Sequence, residues 1–286
     1  YNIGAFDAAT ASDVLSGSGL SSSAAFEVLL GTILNHLFND GKVSDVEIAQ
    51  IAQAAENKFF GKPCGLLDQM TSSVGSFVEI DFADPANPVI EKLDFDFASC
   101  GYALCIVDTG GSHSDLTDEY AAVRKEMESV AEYLGKSVLR EVDEDEFMKN
   151  IADIRSSCGD RAVLRAMHFY GDNARVEKQA AALKAGDFET FKKYIIESGR
   201  SSYMYNQNVY SCKKVSEQPV SLALSLSEKL LDGCGAWRVH GGGFAGTIQA
   251  FVPLNKLDEY KDLMEKVFGS GSCYILSVRP VGGVEL

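Results

Sequence analysis

Gly17-Ser18-Gly19-Leu20-Ser21-Ser22-Ser23-Ala24-Ala25 runs without a break into Phe26, Leu30, Ile33, Leu34 and Leu37, apolar residues spaced by threes and fours. The spacing predicts a glycine- and serine-rich loop capping a buried helix that Asn39-Asp40-Gly41 ends. From the residues alone the loop reads equally as a serine-rich turn and as a phosphate site, since Gly-x-Gly here lacks the third glycine of a dinucleotide fingerprint. Its sequel favours the second reading. Three hydroxyls and two small alanines lie at a helix N-terminus, where unpaired N–H groups and about half a positive charge attract an anion. No Lys follows, so this is not a Walker A loop, and Gly241 to Thr247 lacks that Lys as well. A nucleotide here would need backbone amides and a metal ion.

Working outward, Ser44-Asp45-Val46-Glu47 has the Ser-x-x-Glu form of a capping box and predicts a second helix with the apolar stripe Ile48, Ile51, Ala52, Ala55. Glu56 falls four residues after Ala52 and eight after Ile48, so its carboxylate leans toward the buried side and needs a partner. Gly61-Lys62-Pro63-Cys64-Gly65 breaks the helix, and Asp68 then interrupts an apolar segment from Leu66 to Ser73. Taken singly, Glu56 also reads as a surface residue and Asp68 as a helix-start acid. Together they offer the few oxygens that Mg2+ takes beside substrate phosphates and water.

Three strand-like stretches follow, Phe77 to Phe82, Val89 to Phe97 and Tyr102 to Val107, and read as one antiparallel element. Leu116, Tyr120, Val123, Met127, Val130 and Leu134 then mark a long amphipathic helix closed by Gly135. Residues 143 to 231 are mostly helical in pattern. The end reads strand, glycine loop (Gly241-Gly242-Gly243-Phe244-Ala245-Gly246), strand, helix, strand, which with the preceding helix predicts an α+β layer of helices on an antiparallel sheet. Three adjacent glycines at a strand edge are either a tight turn or a place where backbone approaches a ligand.

The 286 residues suffice for two domains of about 100 to 200 residues. A net charge of −15 excludes a general nucleic-acid binder that works by neutralising phosphates. No apolar run approaches a membrane span and no secretory signal is visible, so no membrane partner is expected. Seven cysteines without a Cys-x-x-Cys pair, and four scattered histidines, fit neither a disulfide framework nor a transition-metal site and point to a reducing cytoplasm. Arg124, Arg155, Arg161, Arg165 and Arg200 read as solvated helix residues, on the usual exposure of arginine. Tyr203, Tyr205 and Tyr210 read as core or as cleft lining, and Trp237 as packing beneath the glycine loop.

Three segments, in order along nearly the whole chain, resemble the GHMP kinases and, within them, the galactokinases. Gly17 to Ala25 resembles their second motif. Glu56 with Gly61 to Gln69 resembles the stretch in which a metal-binding Glu precedes Cys-Gly-x-x-Asp-Gln, and Gly241 to Gly246 resembles the third motif. Asp108-Thr109, His113-Ser114 and Glu119-Tyr120 resemble a sugar-contact region. The resemblance implies a two-domain fold: residues 1–97 as the remainder of a ribosomal-protein-S5-like ATP- and sugar-binding domain, and residues 98–286 as a ferredoxin-like C-terminal domain. It implies transfer of the ATP γ-phosphoryl to the anomeric hydroxyl of galactose. Asp68 would be the catalytic acid group, and Ser22, Ser23 and Glu56 the Mg2+ ligands. Gly65, Asp68 and Tyr120 would contact the sugar, while Gly17, Ser18, Gly19, Leu20, Ser21, Ser22, Ser23, Gly242 and Gly243 would cradle the nucleotide.

Leu15-Ser16 and Ala245 depart from the common pattern without removing a proposed ligand. Nothing in Tyr1 to Val14 resembles the family's first motif, which carries an Arg near the transferred phosphate. The resemblance therefore implies an N-terminal segment outside this chain, as separate polypeptide or otherwise, and an inactive polypeptide on its own. A galactose and ATP sensor, and a kinase for another hexose, an amino sugar or mevalonate, are the alternatives that the same motifs leave open.

Overall fold

The helix that the serine run opens buries a different stripe from the one its larger residues suggest. The computed structural model describes residues 1–14, 20–61, 64–84, 87–111, 116–244 and 246–286, and it divides into two compact units, Tyr1–Asp96 with Val278–Leu286 and Phe97–Ser277. In the first unit α1 (Ser22–Asn39) buries Ala24, Val28, Thr32 and Asn35, while Phe26 and Leu37 stay about half exposed. The cause is close packing against α2 (Asp45–Ala55): a Cβ on Gly31 would stand 2.9 Å from Ile48 Cγ2, so small residues must line the contact. Val28, Ile48 and Ala52 form the core between the two helices. Asn35 closes the intervening turn, its Oδ1 accepting the Val43 amide at 2.9 Å and its Nδ2 donating to the Val43 carbonyl at 3.0 Å.

α2 starts as its capping box requires, with Ser44 Oγ accepting the Glu47 amide at 3.3 Å and Glu47 Oε2 accepting the Ser44 amide at 3.1 Å. A π-helical turn, Glu56–Phe60, ends it, and α3 (Leu67–Val74) follows. β1 (Phe77–Asp81) and β2 (Val89–Leu93) then pair antiparallel as a two-stranded sheet. Residues 278–286 return to this unit. The Ser76 amide donates to the Arg279 carbonyl at 2.7 Å, and Gly282 lies so close to the end of α3 that a Cβ would overlap the Ser73 carbonyl. The tail and α1 wall an apolar groove of about 700 Å³ lined by Val28, Leu29, Ile33, Phe77, Val281 and Val284.

In the second unit β3 (Tyr102–Asp108) leads into α4 (Thr117–Tyr133), α5 (Glu144–Lys149), α6 (Ile151–Cys158), α7 (Asp160–Lys184), α8 (Phe188–Ser201) and α9 (Pro219–Leu231). β4 (Ala236–Val239), β5 (Thr247–Pro253), α10 (Leu257–Phe268) and β6 (Cys273–Leu276) complete it. The strands form an antiparallel sheet in the order β4-β5-β3-β6, the split arrangement of a ferredoxin-like layer. One face packs Cys105, Val107, Ile248, Ala250 and Val252 against α9 and α10. The other places Phe251 edge-on to Phe97, Phe188 and Phe191.

Two expectations are corrected. The three strand-like stretches do not share a sheet, because β2 stops at Leu93 and the third stretch, β3, is a central strand of the four-stranded sheet. Buried on both faces, β3 reads as the continuous apolar run 103–107. Nor is Arg165 solvated: it is wholly buried, its Nη1 donating to Glu126 Oε2 at 2.9 Å and its Nε to the Asn206 carbonyl at 3.1 Å. Arg161 donates to the same carboxylate from Nη2 at 2.5 Å, so Glu126 joins α4 to two arginines of α7. Among the described residues no helix is long and apolar enough to cross a membrane.

Burial also governs His168. Its ring hydrogen-bonds Ser201 Oγ at 2.9 Å through Nδ1, and desolvation, only partly opposed by Asp172, holds its pKa below the usual 6.5. Arg238 and Arg175 face it and disfavour a second proton. Between the folded and unfolded pKa values the unfolded chain binds more protons, so this histidine costs stability as pH falls below about 6.5. His168→Gln should therefore remove up to one proton's worth of slope from denaturation midpoints measured between pH 7 and 5; an unchanged slope would clear His168 of the effect. Arg165→Met leaves Glu126 with Arg161 alone and should cost about 3 to 5 kcal/mol in urea denaturation, the range for breaking a buried pair.

Candidate functional site

Ser21 sets the geometry of the first unit's polar cluster. It stands just before α1 with φ 55° and ψ 54°, in the left-handed region, and its hydroxyl does not cap the helix. Instead Ser21 Oγ donates to Asp68 Oδ2 at 2.5 Å. The first-turn amides of α1 thus have no side-chain cap from Ser21 and keep the positive end of the helix dipole open to an anion. Asp68 lies in the first turn of α3 with its side chain exposed, a carboxylate oriented by one hydroxyl.

Glu56 is the buried counterpart, only 4% exposed at the start of the π-helical turn. Ser23 Oγ donates to its Oε1 at 3.2 Å and Gln69 Nε2 to its Oε2 at 3.0 Å, so α1, α2 and α3 converge on one carboxylate. Cys64 closes the cluster: its carbonyl accepts from Gln53 Nε2 at 3.2 Å and its amide donates to Asn57 Oδ1 at 2.7 Å. Burial, and then the neighbouring Glu56, push the Cys64 thiol pKa up, so it stays a neutral thiol rather than a nucleophilic thiolate.

This donor set fits a magnesium ion. Ser23, Glu56 and the buried amide oxygen of Gln69, which meets no hydrogen-bond donor among the described residues, are hard oxygens. Among the described residues no three His, Cys, Asp or Glu side chains gather into a metal cage. A divalent ion here would therefore keep water and substrate phosphate oxygens as most of its ligands.

Of the residues singled out in the sequence, Ser21, Ser22 and Ser23 stand at the start of α1 with Leu20 half-buried before them, and Glu56 and Asp68 each bond one of these serines. Gly65 is exposed in the connection before α3. Gly17, Ser18 and Gly19, with Leu15, Ser16, Lys62, Pro63, His113, Ser114 and Ala245, lie outside the described residues.

The second unit carries the other glycine loop. Gly241 and Gly243 have φ of 62° and 81°, and Phe244 shares the left-handed region at 58°. Tyr120 Oη donates to the Gly243 carbonyl at 2.7 Å, Asn208 Nδ2 to the Gly242 carbonyl at 3.2 Å, and the Phe244 amide to the Asn208 carbonyl at 2.5 Å. Thr109 Oγ1 donates to the Gly246 carbonyl at 2.6 Å. Among the described residues none accepts from the Gly241 and Gly242 amides, a pairing of free N–H groups suited to an anion. The sequence motifs contain Tyr120, Gln69 and the glycines but not Asn208, whose partner Gly242 lies 34 residues away.

Residues 1–76 match the GHMP kinases N terminal domain. A galactokinase of Lactococcus lactis, solved in complex with galactose, superposes with a TM-score of 0.73 over 96% of this chain and 69% of its own, at 24% identity, so the fold is that of the GHMP kinases. The Homo sapiens galactokinase is 32% identical over 281 residues, which cover 98% of this chain and 68% of the relative. The chain belongs to the galactokinase family. A galactokinase of Actinobacillus pleuropneumoniae is 31% identical over 258 residues, 90% of this chain, and the match spans 64% of its length.

Gly243 and Gly241 separate two costs. A Cβ at Gly243 would overlap the Asn208 carbonyl, whereas none of the surrounding atoms comes within 4 Å of one at Gly241. Gly241→Ala should cost about 1 to 2 kcal/mol in urea denaturation, the left-handed penalty alone. Gly243→Ala adds an overlap of about 1 to 3 kcal/mol and should be clearly worse; equal losses would show that the loop yields freely at Asn208.

Proposed function

We propose that this chain carries the catalytic part of a galactokinase, which transfers the γ-phosphoryl group of ATP to the anomeric hydroxyl of galactose and releases galactose 1-phosphate and ADP. The observation that carries the reading is the pairing of two serines at one helix start with two acids, Ser21 with Asp68 and Ser23 with Glu56. One acid is exposed and oriented, as a group facing a sugar hydroxyl must be, and the other is buried among hard oxygen donors, as a metal ligand set requires. Residues 1–97 then serve as the nucleotide- and sugar-binding part and residues 98–286 as the C-terminal kinase domain, with the last nine residues packing back on the first unit.

In this reading Asp68 accepts the proton of the anomeric hydroxyl as the phosphorus–oxygen bond forms. Phosphoryl transfer passes through a loose transition state in most analyses, so the hydroxyl keeps its proton until late in the transfer. Ser21 fixes Oδ2 and leaves Oδ1 to the sugar. Gly65 lines the sugar beside it. Residues 17–23 cradle the phosphates at the uncapped start of α1, and Gly242 and Gly243 offer further backbone to the nucleotide. Ser22 or Ser23 with Glu56 would hold magnesium, which would supply positive charge beside the phosphate oxygens. That supply matters in a chain of net charge −15.

The test uses the full natural polypeptide, with ADP release and galactose 1-phosphate both measured. Asp68→Asn should lower kcat by about 10² to 10⁴, the range for a positioned general base, with little change in the KM for ATP. Undiminished turnover would remove Asp68 from the reaction. Glu56→Gln should raise the magnesium concentration needed for half-maximal rate. Tight binding of galactose and ATP by the wild-type protein without product would favour the sensor over the kinase.

A further inference from the structure

The glycine loop of the second unit is held by Tyr120 and by two side chains, Asn208 and Thr109, that the proposed chemistry does not itself use. Two consecutive peptide planes are held, the first at one end and the second at both. In the 242–243 peptide the carbonyl accepts from Asn208 Nδ2, and in the 243–244 peptide the amide donates to the Asn208 carbonyl while the carbonyl turns to Tyr120 Oη. A trans peptide is planar with its C=O and N–H opposed, so anchoring one end aims the other. Asn208 therefore sets the direction of both planes, and Tyr120 grips the second from the opposite side. The Tyr120 ring meets Phe244 edge-on at 5.3 Å, and a Cβ on Gly242 would stand 2.8 Å from Tyr120 Cε1, so ring and backbone are in contact. Thr109 fixes the far end of the loop at Gly246 with both its amide, at 2.9 Å, and its hydroxyl.

Asn208 is an unusual choice for a merely structural position. It is 5% exposed, and its Oδ1 is buried without a donor among the described residues. A buried unsatisfied oxygen is destabilising, so an apolar side chain would serve packing better. The residue also follows Gln207, strained at φ 54°, and the π-helical turn Ser202–Asn206, whose last carbonyl is taken by the buried Arg165. Backbone strain backed by a buried ion pair is the usual signature of a placement that function requires.

We propose that Asn208, assisted by Tyr120 and Thr109, is a positioning residue that presets the backbone of Gly241 to Phe244 for nucleotide phosphate. The proposal rests on the phosphotransfer reading above and goes beyond it by assigning the loop's shape to a side chain outside the glycine motif. It is tested in the full natural polypeptide with Asn208→Ala, which keeps the backbone bond to Phe244, and with Tyr120→Phe, which deletes one hydroxyl and leaves the ring.

Amide exchange of the peptide spanning residues 241–247 should quicken about three- to tenfold in each variant, the worth of roughly one net hydrogen bond. In Asn208→Ala the Kd of a non-hydrolysable MgATP analogue should rise by a similar factor while the KM for galactose stays put, and Asn208→Asp, which presents a charge in place of the donor, should do worse. A structural role alone would lower the Tm without this split between the two ligands. Unchanged loop exchange in both Asn208→Ala and Tyr120→Phe overturns the clasp, whatever the nucleotide result. Faster exchange with an unaltered Kd overturns its part in nucleotide binding. A wild-type protein that binds no nucleotide overturns the function reading itself, and the positioning role with it.

Discussion

A buried carboxylate must be hydrogen-bonded or charge-paired, and the first unit is arranged around that requirement at Glu56. Ser23 reaches it from α1 and Gln69 from α3, while the end of α2 presents it through a π-helical turn. Remove the carboxylate and three helices lose their common polar anchor. The extra residue that a π turn inserts redirects the side chains after it, a common device where a helix end must aim a functional group. The same turn lets Asn57 and Gln53 hold the Cys64 segment, and with it the approach to Asp68.

Parts of this were legible in the amino-acid order. The capping box at Ser44, the helix after Ser21 and the inward lean of Glu56 follow from local periodicity, which a helix expresses within a few residues. The buried stripe of α1 was not, because Gly31 and Val28, not the larger Phe26 and Leu37, decide how near α2 can come. Arg165 was misread for a related reason: exposure is the rule for arginine, and only the carboxylate of Glu126 on another helix makes the exception. Asn208 carries no local signature at all. Its role is set by a distant partner, the glycine loop.

The two units meet the same chemical problem by different means. The first keeps a helix start uncapped by sending its serine hydroxyl to an acid. The second turns glycine carbonyls toward Asn208, Tyr120 and Thr109 and leaves neighbouring amides without acceptors among the described residues. Both present oriented backbone dipoles and no lysine, and dipoles keep their direction only as well as their surroundings hold them. Glycine gives such a loop its reach, and the side chains around it restore the order that glycine lacks.

Residues 278–286 pack against α1 and α3, although 181 residues of the second unit intervene, from Phe97 to Ser277. On the ribosome the second unit can close as soon as its own contiguous stretch has emerged. The first cannot, since one wall of its apolar groove is the last part of this sequence to be made. The serines and acids of the earlier-made helices must then wait, loosely gathered, for a strip of chain translated long after them, and a ribosome that stalls near residue 277 would release the earlier half unfinished.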